Sequence, residues 1–217
     1  MKEYHKIPTV WKRDPETKFK TLIDGAWATP ELEYLKDCQW VFMEKVDGTN
    51  IRVMWDGENV TFGGKTDNAQ IPAFLVTRLQ ELFMPFESRK FLAATFSSDG
   101  MPCSVCLYGE GYGAKIQKGG GNYKADGVDF VLFDVKVGDW WLKREDVEDV
   151  ADKLVLRVVP VLGFGTLIDG IGETERGMAS EWGDFTMEGL VMRPSVELKS
   201  RNGQRIIAKI KHKDFVK

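Results

Sequence analysis

The chain has 217 residues, 43% of them hydrophobic and 29% charged, with a formal net charge of −3. That is the balance of a folded protein of one large domain or two small ones, and it excludes a disordered chain, a collagen-like repeat and a coiled coil. There is no uncharged apolar run of about 18 residues, and the opening MKEYHKIPTVWKRDPETK lacks the apolar centre of an export signal. No membrane partner is expected, and the three cysteines (Cys38, Cys103, Cys106) make no disulfide framework, so a cytoplasmic protein is expected.

Residues 1–39 read as a leader, with the stretch 6–18, including Trp11 and Arg13, expected to pack on the domain as a strand or clamp. A strand over 40–45 ends in Lys45, the Asp47-Gly48 turn follows, and a second strand begins at 51. Such a turn leaves Lys45 at a strand end beside the sheet; taken alone, Lys-x-Asp-Gly also suits a surface hairpin. Asp56-Gly57 signals a hairpin into a strand over 59–62. A helix is expected over 72–84, with Ile71, Leu75, Leu79 and Leu82 on one face, and loops at 63–64 and 97–102. The strand over 105–110 ends in Glu110 among glycines, and the triplet Gly119-Gly120-Gly121 marks another loop.

Aromatic and aliphatic residues alternate over 130–137, where Phe133 reads by default as core. A helix over 144–154 and a glycine-rich loop over 163–172 follow. Glu188 opens a strand over 190–193, and a last strand covers 205–211. In that strand a period of two sends Lys209 and Lys211 to one face and Ala208 and Ile210 behind it. Two cations side by side on a rigid element suit an anionic guest such as phosphate, although an exposed edge strand has the same pattern. Strands in hairpins with interposed helices make an α+β fold rather than a doubly wound sheet.

Charge is uneven along the chain. From Lys199 to Lys217 seven Lys/Arg face one acid, Asp214, a local +6, so the remainder must carry −9 to reach −3. A basic end on an acidic body points to a local phosphate or nucleic-acid contact, or to a solvated basic tail. Cys103-x-x-Cys106 has half the spacing of a zinc site but no second Cys or His pair.

Five ordered segments resemble the covalent nucleotidyltransferase superfamily of polynucleotide ligases and capping enzymes. They resemble most closely the type 2 RNA ligases, the nick-sealing branch of bacteriophage and RNA-editing ligases. Glu44-Lys45-Val46-Asp47-Gly48-Thr49-Asn50 is similar to the nucleophile motif, Gly109-Glu110 with Gly113 and Ile116-Gln117-Lys118 to the third, and 130–135 to the adenine-stacking strand. Glu188 to Pro194 resembles the fourth, and Arg201-Asn202-Gly203 leading into Ala208-Lys209-Ile210-Lys211 the fifth. The resemblance implies one α+β adenylyltransferase (ATP-grasp-like) domain over 1–217, antiparallel sheets flanked by helices; relatives commonly append a C-terminal domain, an OB-fold in DNA ligases and capping enzymes, and here the expectation departs from them, with no C-terminal OB domain.

By the same resemblance, Lys45 would attack the α-phosphate of ATP to form a lysyl-AMP, with Lys209 and Lys211 neutralising the phosphate and Glu188 holding Mg²⁺ or Mn²⁺. Glu110 would hold the ribose hydroxyls, Phe133 would stack on adenine, and Glu44 would touch adenine through its backbone. Asp47 and Gly48 complete the nucleophile turn, Asn50 would serve the sealing step, and Lys65 would contact AMP or a 5′-phosphate. The implied partner is nucleic acid with 5′-phosphate and 3′-hydroxyl ends, a nicked RNA duplex, sealed by a monomer, cytoplasmic in a host if phage-encoded. Two positions depart from the pattern. Asp47 stands where this branch commonly has His, as in DNA ligases, and Lys65 stands for an Arg, losing the bidentate fork. A minimal DNA ligase and a non-catalytic module that binds ATP or RNA ends are the alternatives.

Overall fold

A computed structural model describes residues 3–98 and 100–216. In chain order the elements begin with β1 (Trp11–Arg13), β2 (Leu22–Trp27), α1 (Pro30–Tyr34), β3 (Trp40–Glu44), β4 (Thr49–Trp55) and β5 (Val60–Gly63). There follow α2 (Ala73–Phe83), α3 (Phe86–Thr95), β6 (Ser97–Ser98), β7 (Met101–Pro102), β8 (Val105–Gly113), α4 (Gly120–Tyr123), β9 (Val128–Val137) and β10 (Trp140–Trp141). The remainder is α5 (Arg144–Lys153), β11 (Arg157–Val158), β12 (Val161–Gly165), α6 (Leu167–Arg176), β13 (Ala179–Ser180), β14 (Gly183–Thr186), β15 (Gly189–Pro194) and β16 (Ala208–Lys211). The chain divides into two compact units, the first holding the residues up to Tyr4 with Asp47–Val159, the second His5–Val46 with Pro160–Lys217.

The first unit is a six-stranded sheet in the order β10-β9-β8-β4-β5, with β11 parallel to β9 and the remaining neighbours antiparallel. One sheet face carries Ile51, Val53, Trp55, Val105, Leu107, Phe130 and Leu132. It packs against Leu75, Leu79 and Phe83 of α2, Leu92 of α3, and Val147, Val150 and Ala151 of α5. Period-two alternation therefore turns Arg52 and Tyr108 to the opposite face, where they lie in register with Asp134 of β9. The turn between β4 and β5 is tied by the Asp56 Oδ1 oxygen, which accepts the backbone N–H groups of Glu58 and Asn59.

Strand β9 carries a bulge. Tyr108 pairs with Asp134 and Gly109 with Leu132, so Phe133 has no partner and the alternation slips by one residue. Upstream of it Phe130 and Leu132 face the core; downstream Val135 does so.

The second unit has its own core around a four-stranded antiparallel sheet in the order β12-β3-β15-β16. Trp40, Phe42, Leu190, Met192, Ala208 and Ile210 of the sheet pack with Leu167 and Ile171 of α6, and with Val10 and Leu32. Strands β1 and β2 pair here, and Arg13 forms a two-point ion pair with Asp214, with Nη2 at 3.1 and 3.0 Å from the carboxylate oxygens.

The structure corrects the sequence reading in several places: the loops expected at 97–102 and 119–121 contain β6, β7 and the start of α4, and α3 follows α2 where no helix is expected. Two further corrections fall in the second unit. The stretch expected as a loop over 163–172 contains the end of β12 and most of α6, whose start is closed by a capping box: Thr166 Oγ1 accepts from Asp169 N–H, and Asp169 accepts from Thr166 N–H. Gly170 fits within that helix because a Cβ there would lie 2.4 Å from the Met192 sulfur. The last strand is shorter than 205–211, beginning at Ala208.

Candidate functional site

Three strand ends of the second unit meet at one place. Lys45 directly follows β3, and its backbone N–H donates to Gly189 O at 2.8 Å. Glu188 directly precedes β15, and Lys211 ends β16 in register with Gly189. The side chains close a three-membered charge cluster, with Lys45 Nζ 2.6 Å from Glu188 Oε2 and Lys211 Nζ 2.5 Å from Oε1. Each carboxylate oxygen thus holds one ammonium, and all three side chains are at most 22% exposed.

Burial alone pushes the Glu188 carboxyl up. The Lys45 charge, the hydrogen bonds from Lys211 and Lys45, and the Lys211 charge outweigh it and hold the carboxyl below its ordinary value. The alternation expected in the last strand is present, with Ala208 and Ile210 buried and Lys209 and Lys211 half-buried on the other face. Lys209 is further fixed through its backbone, donating to Pro8 O and accepting from Val10 N–H.

Gly189 makes this convergence possible. Its φ of +153° favours glycine, and a Cβ would lie 2.1 Å from Ile210 O and 2.7 Å from the Lys211 Cα. Gly189→Ala is expected to pry β15 from β16, at a cost of about 2–3 kcal/mol. That should lower the thermal midpoint by roughly 5–10 °C in a melting experiment.

Glu44 is 1% exposed, and its carboxylate accepts the Ser180 hydroxyl at 2.6 Å and the Glu181 N–H at 3.0 Å. Its own N–H donates to Pro160 O at 3.2 Å. The buried side chain thus ties β3 to the β13–β14 hairpin that leads into Glu188.

The other sequence-selected residues belong to the first unit. Asp47 Oδ2 accepts the Gly119 N–H at 3.2 Å, fixing the glycine-rich loop after β8. Gly48 lies so close to that strand that a Cβ would meet Gly111 O at 2.4 Å. Asn50 and Glu110 are cross-strand partners, and the buried Asn50 Oδ1 acceptor has no hydrogen bond among the described residues. A buried acceptor left in this way suits a ligand donor. Phe133, thrown out by the bulge, is half-buried and meets the Tyr4 ring edge-on at 5.2 Å. Lys65 is exposed on a loop anchored by Arg52, whose Nε donates to Gly64 O and whose Nη2 donates to Asp67 Oδ1, both at 2.8 Å.

Sequence reasoning passed over Arg52, Tyr4 and Asp134. Arg52 and Asp134 carried a signal, since each is a charged residue with apolar neighbours on both sides within a strand; Tyr4 carried none.

Among the described residues no group of three or more His, Cys, Asp or Glu side chains gathers as a metal cage. Glu188 offers a single carboxylate, a donor that would suit a hydrated Mg²⁺ or Mn²⁺ better than a stripped ion. Burial pushes the Cys106 thiol up to about 11, against the minor lowering influences of Tyr108, Arg52 and Lys136, so it is neither a ready thiolate nor a ready ligand. No helix among the described residues is long and apolar enough to cross a membrane.

The sequence profile of the RNA ligase family matches residues 38–211. The chain belongs to that family. No curated protein sequence matches it. Among solved structures, the Naegleria gruberi RNA ligase with PPi aligns over 97% of this chain and 57% of that one, with a TM-score of 0.64 and 18% identity. Two single-residue variants of the same ligase with ATP and Mn align over 84% and 86% of this chain, both at 20% identity, with TM-scores of 0.62 and 0.63. The chain spans 52–57% of the length of those three. The likeness is one of fold, an α+β arrangement of largely antiparallel sheets with helices.

Proposed function

We propose that this RNA ligase family member is an ATP-dependent ligase of the type 2, nick-sealing branch, acting through a lysyl-AMP on Lys45. The observation that carries the reading is the cluster Lys45–Glu188–Lys211 at three converging strand ends. The ATP and Mn of the Naegleria structures support the choice of nucleotide and of a divalent ion.

The Lys45 amine must first leave Glu188 and give a proton to solvent, because only the neutral amine carries the lone pair that attacks phosphorus. Lys45 Nζ then bonds to the α-phosphorus of ATP as the bond to the β-phosphate oxygen breaks, releasing pyrophosphate. Lys209 and Lys211 offset the charge on the α-phosphate as it becomes five-coordinate. Glu188 would hold the divalent ion, which supplies further neutralisation of phosphate charge when bound. Glu110 would bind the ribose hydroxyls, Phe133 would stack on adenine, and the Glu44 backbone would meet its edge.

A 5′-phosphate oxygen of a broken strand then displaces Lys45 from the AMP phosphorus, and the 3′-hydroxyl attacks the activated 5′-phosphate, releasing AMP and closing the strand. Lys65 would contact the 5′-phosphate or AMP, and Asn50 would serve this closing step. Incubation with α-labelled ATP and Mg²⁺ or Mn²⁺ should give an acid-labile adduct of AMP mass, with no labelling from GTP. Nicked duplexes should be sealed faster at an RNA 3′-hydroxyl than at a DNA one. Faster sealing of DNA would move the assignment to the DNA ligase branch that Asp47 resembles, and an absent adduct would leave a binding module.

A further inference from the structure

The segment Glu3–Tyr4 belongs to the first unit, although the residues from His5 to Val46 belong to the second. It is held there at two points. The Glu3 carboxylate accepts the Asp67 N–H at 3.0 Å, on the loop that carries Lys65. The Tyr4 hydroxyl donates to Asp134 Oδ2 at 2.6 Å, and Asp134 is 3% exposed. The Tyr4 ring stands edge-on to Tyr108, Phe133 and Trp141, at 5.1, 5.2 and 5.6 Å between centroids.

Phe133 needs such a support. As the extra residue of a bulge it has no cross-strand partner to fix its direction, and only local packing can set the plane its ring offers. A stacking surface binds a base well only when its ring is already oriented, because each rotamer frozen on binding costs affinity. We infer that Tyr4 is a positioning residue for nucleotide binding: its ring holds Phe133 in a stacking orientation, and its bond to Asp134 fixes that ring at the bulge. The inference rests on the reading of Phe133 as the adenine-stacking residue.

The test is the single-turnover rate of AMP-adduct formation by the full chain against ATP concentration, with Phe133→Ala alongside; kcat here is the maximal rate constant and KM the ATP concentration that gives half of it. Tyr4→Leu should raise KM for ATP about tenfold or more while kcat stays within about threefold, because the charge cluster that does the chemistry is untouched. Tyr4→Phe keeps the ring and loses only the bond to Asp134; it should restore most of that loss, to about threefold above wild type. Thermal midpoints and equilibrium binding of AMP separate loss of positioning from loss of folding, since a folded Tyr4→Leu with weakened AMP binding supports the role. A wild-type KM in Tyr4→Leu while Phe133→Ala is impaired would overturn the positioning role alone. A lowered KM would overturn it too, making Tyr4 an obstruction. A wild-type KM in Phe133→Ala would bring down both the stacking reading and the inference.

Discussion

Lys45→Ala is expected to abolish the covalent AMP adduct while the protein stays folded. Alanine offers no nucleophile, and the neighbouring Lys211 is already bound to the other oxygen of Glu188. Lys45 lies in neither hydrophobic core, and its side chain is 19% exposed. Removing it deletes one charged hydrogen bond, worth about 1–2 kcal/mol, and leaves Glu188 paired with Lys211. The thermal midpoint should fall by no more than about 5 °C, and intact mass after incubation with ATP should show the bare chain alone. A 5′-adenylated RNA supplies the activated phosphate without Lys45, so this variant should still join it to a 3′-hydroxyl. An adduct of AMP mass persisting in Lys45→Ala would end the nucleophile assignment.

The sequence placed Lys45 and Glu188 at strand ends beside the glycines of Asp47-Gly48 and Glu188-Gly189, and period two set Lys209 and Lys211 on one face, but only the family resemblance grouped these residues, and nothing in the sequence paired Glu188 with the two lysines. The same logic misplaced 163–172, where glycines read as breakers. In α6 the close packing of Gly170 on Met192 outweighs the low helix propensity of glycine, and the Thr166–Asp169 box was the local signal for it. Helix α3, after Pro85, was missed with it; its single buried side chain, Leu92, leaves little apolar periodicity to read. At Phe133 alternation could give no facing direction, because a bulge shifts parity and is set by pairing with a distant strand. Nor could any local pattern show that Tyr4 reaches Asp134, 130 residues away.

Glu188→Gln is expected to slow adduct formation by about a hundredfold or more, equivalent to roughly 2.7 kcal/mol of transition-state stabilisation. The amide keeps the shape of the side chain but removes the negative charge between two ammonium groups and the carboxylate that suits a divalent ion. Lys45 and Lys211, at the ends of the two strands that flank β15, are then like charges with no counterion between them. The variant should lose about 1–3 kcal/mol of stability at neutral pH. The pH dependence separates charge from shape. Because the lysines hold the folded carboxyl below its unfolded value, its stabilisation is fully present above the unfolded value, near 4.5, and is lost as pH falls through the folded one. Urea midpoints of wild type and Glu188→Gln should therefore differ by a constant amount from pH 6 to 8, and the gap should close below pH 4.5, where wild type takes up the proton that the amide variant never binds. A gap that persisted unchanged into acid would mean that Glu188 acts through packing, and the electrostatic account of the cluster would fall with it.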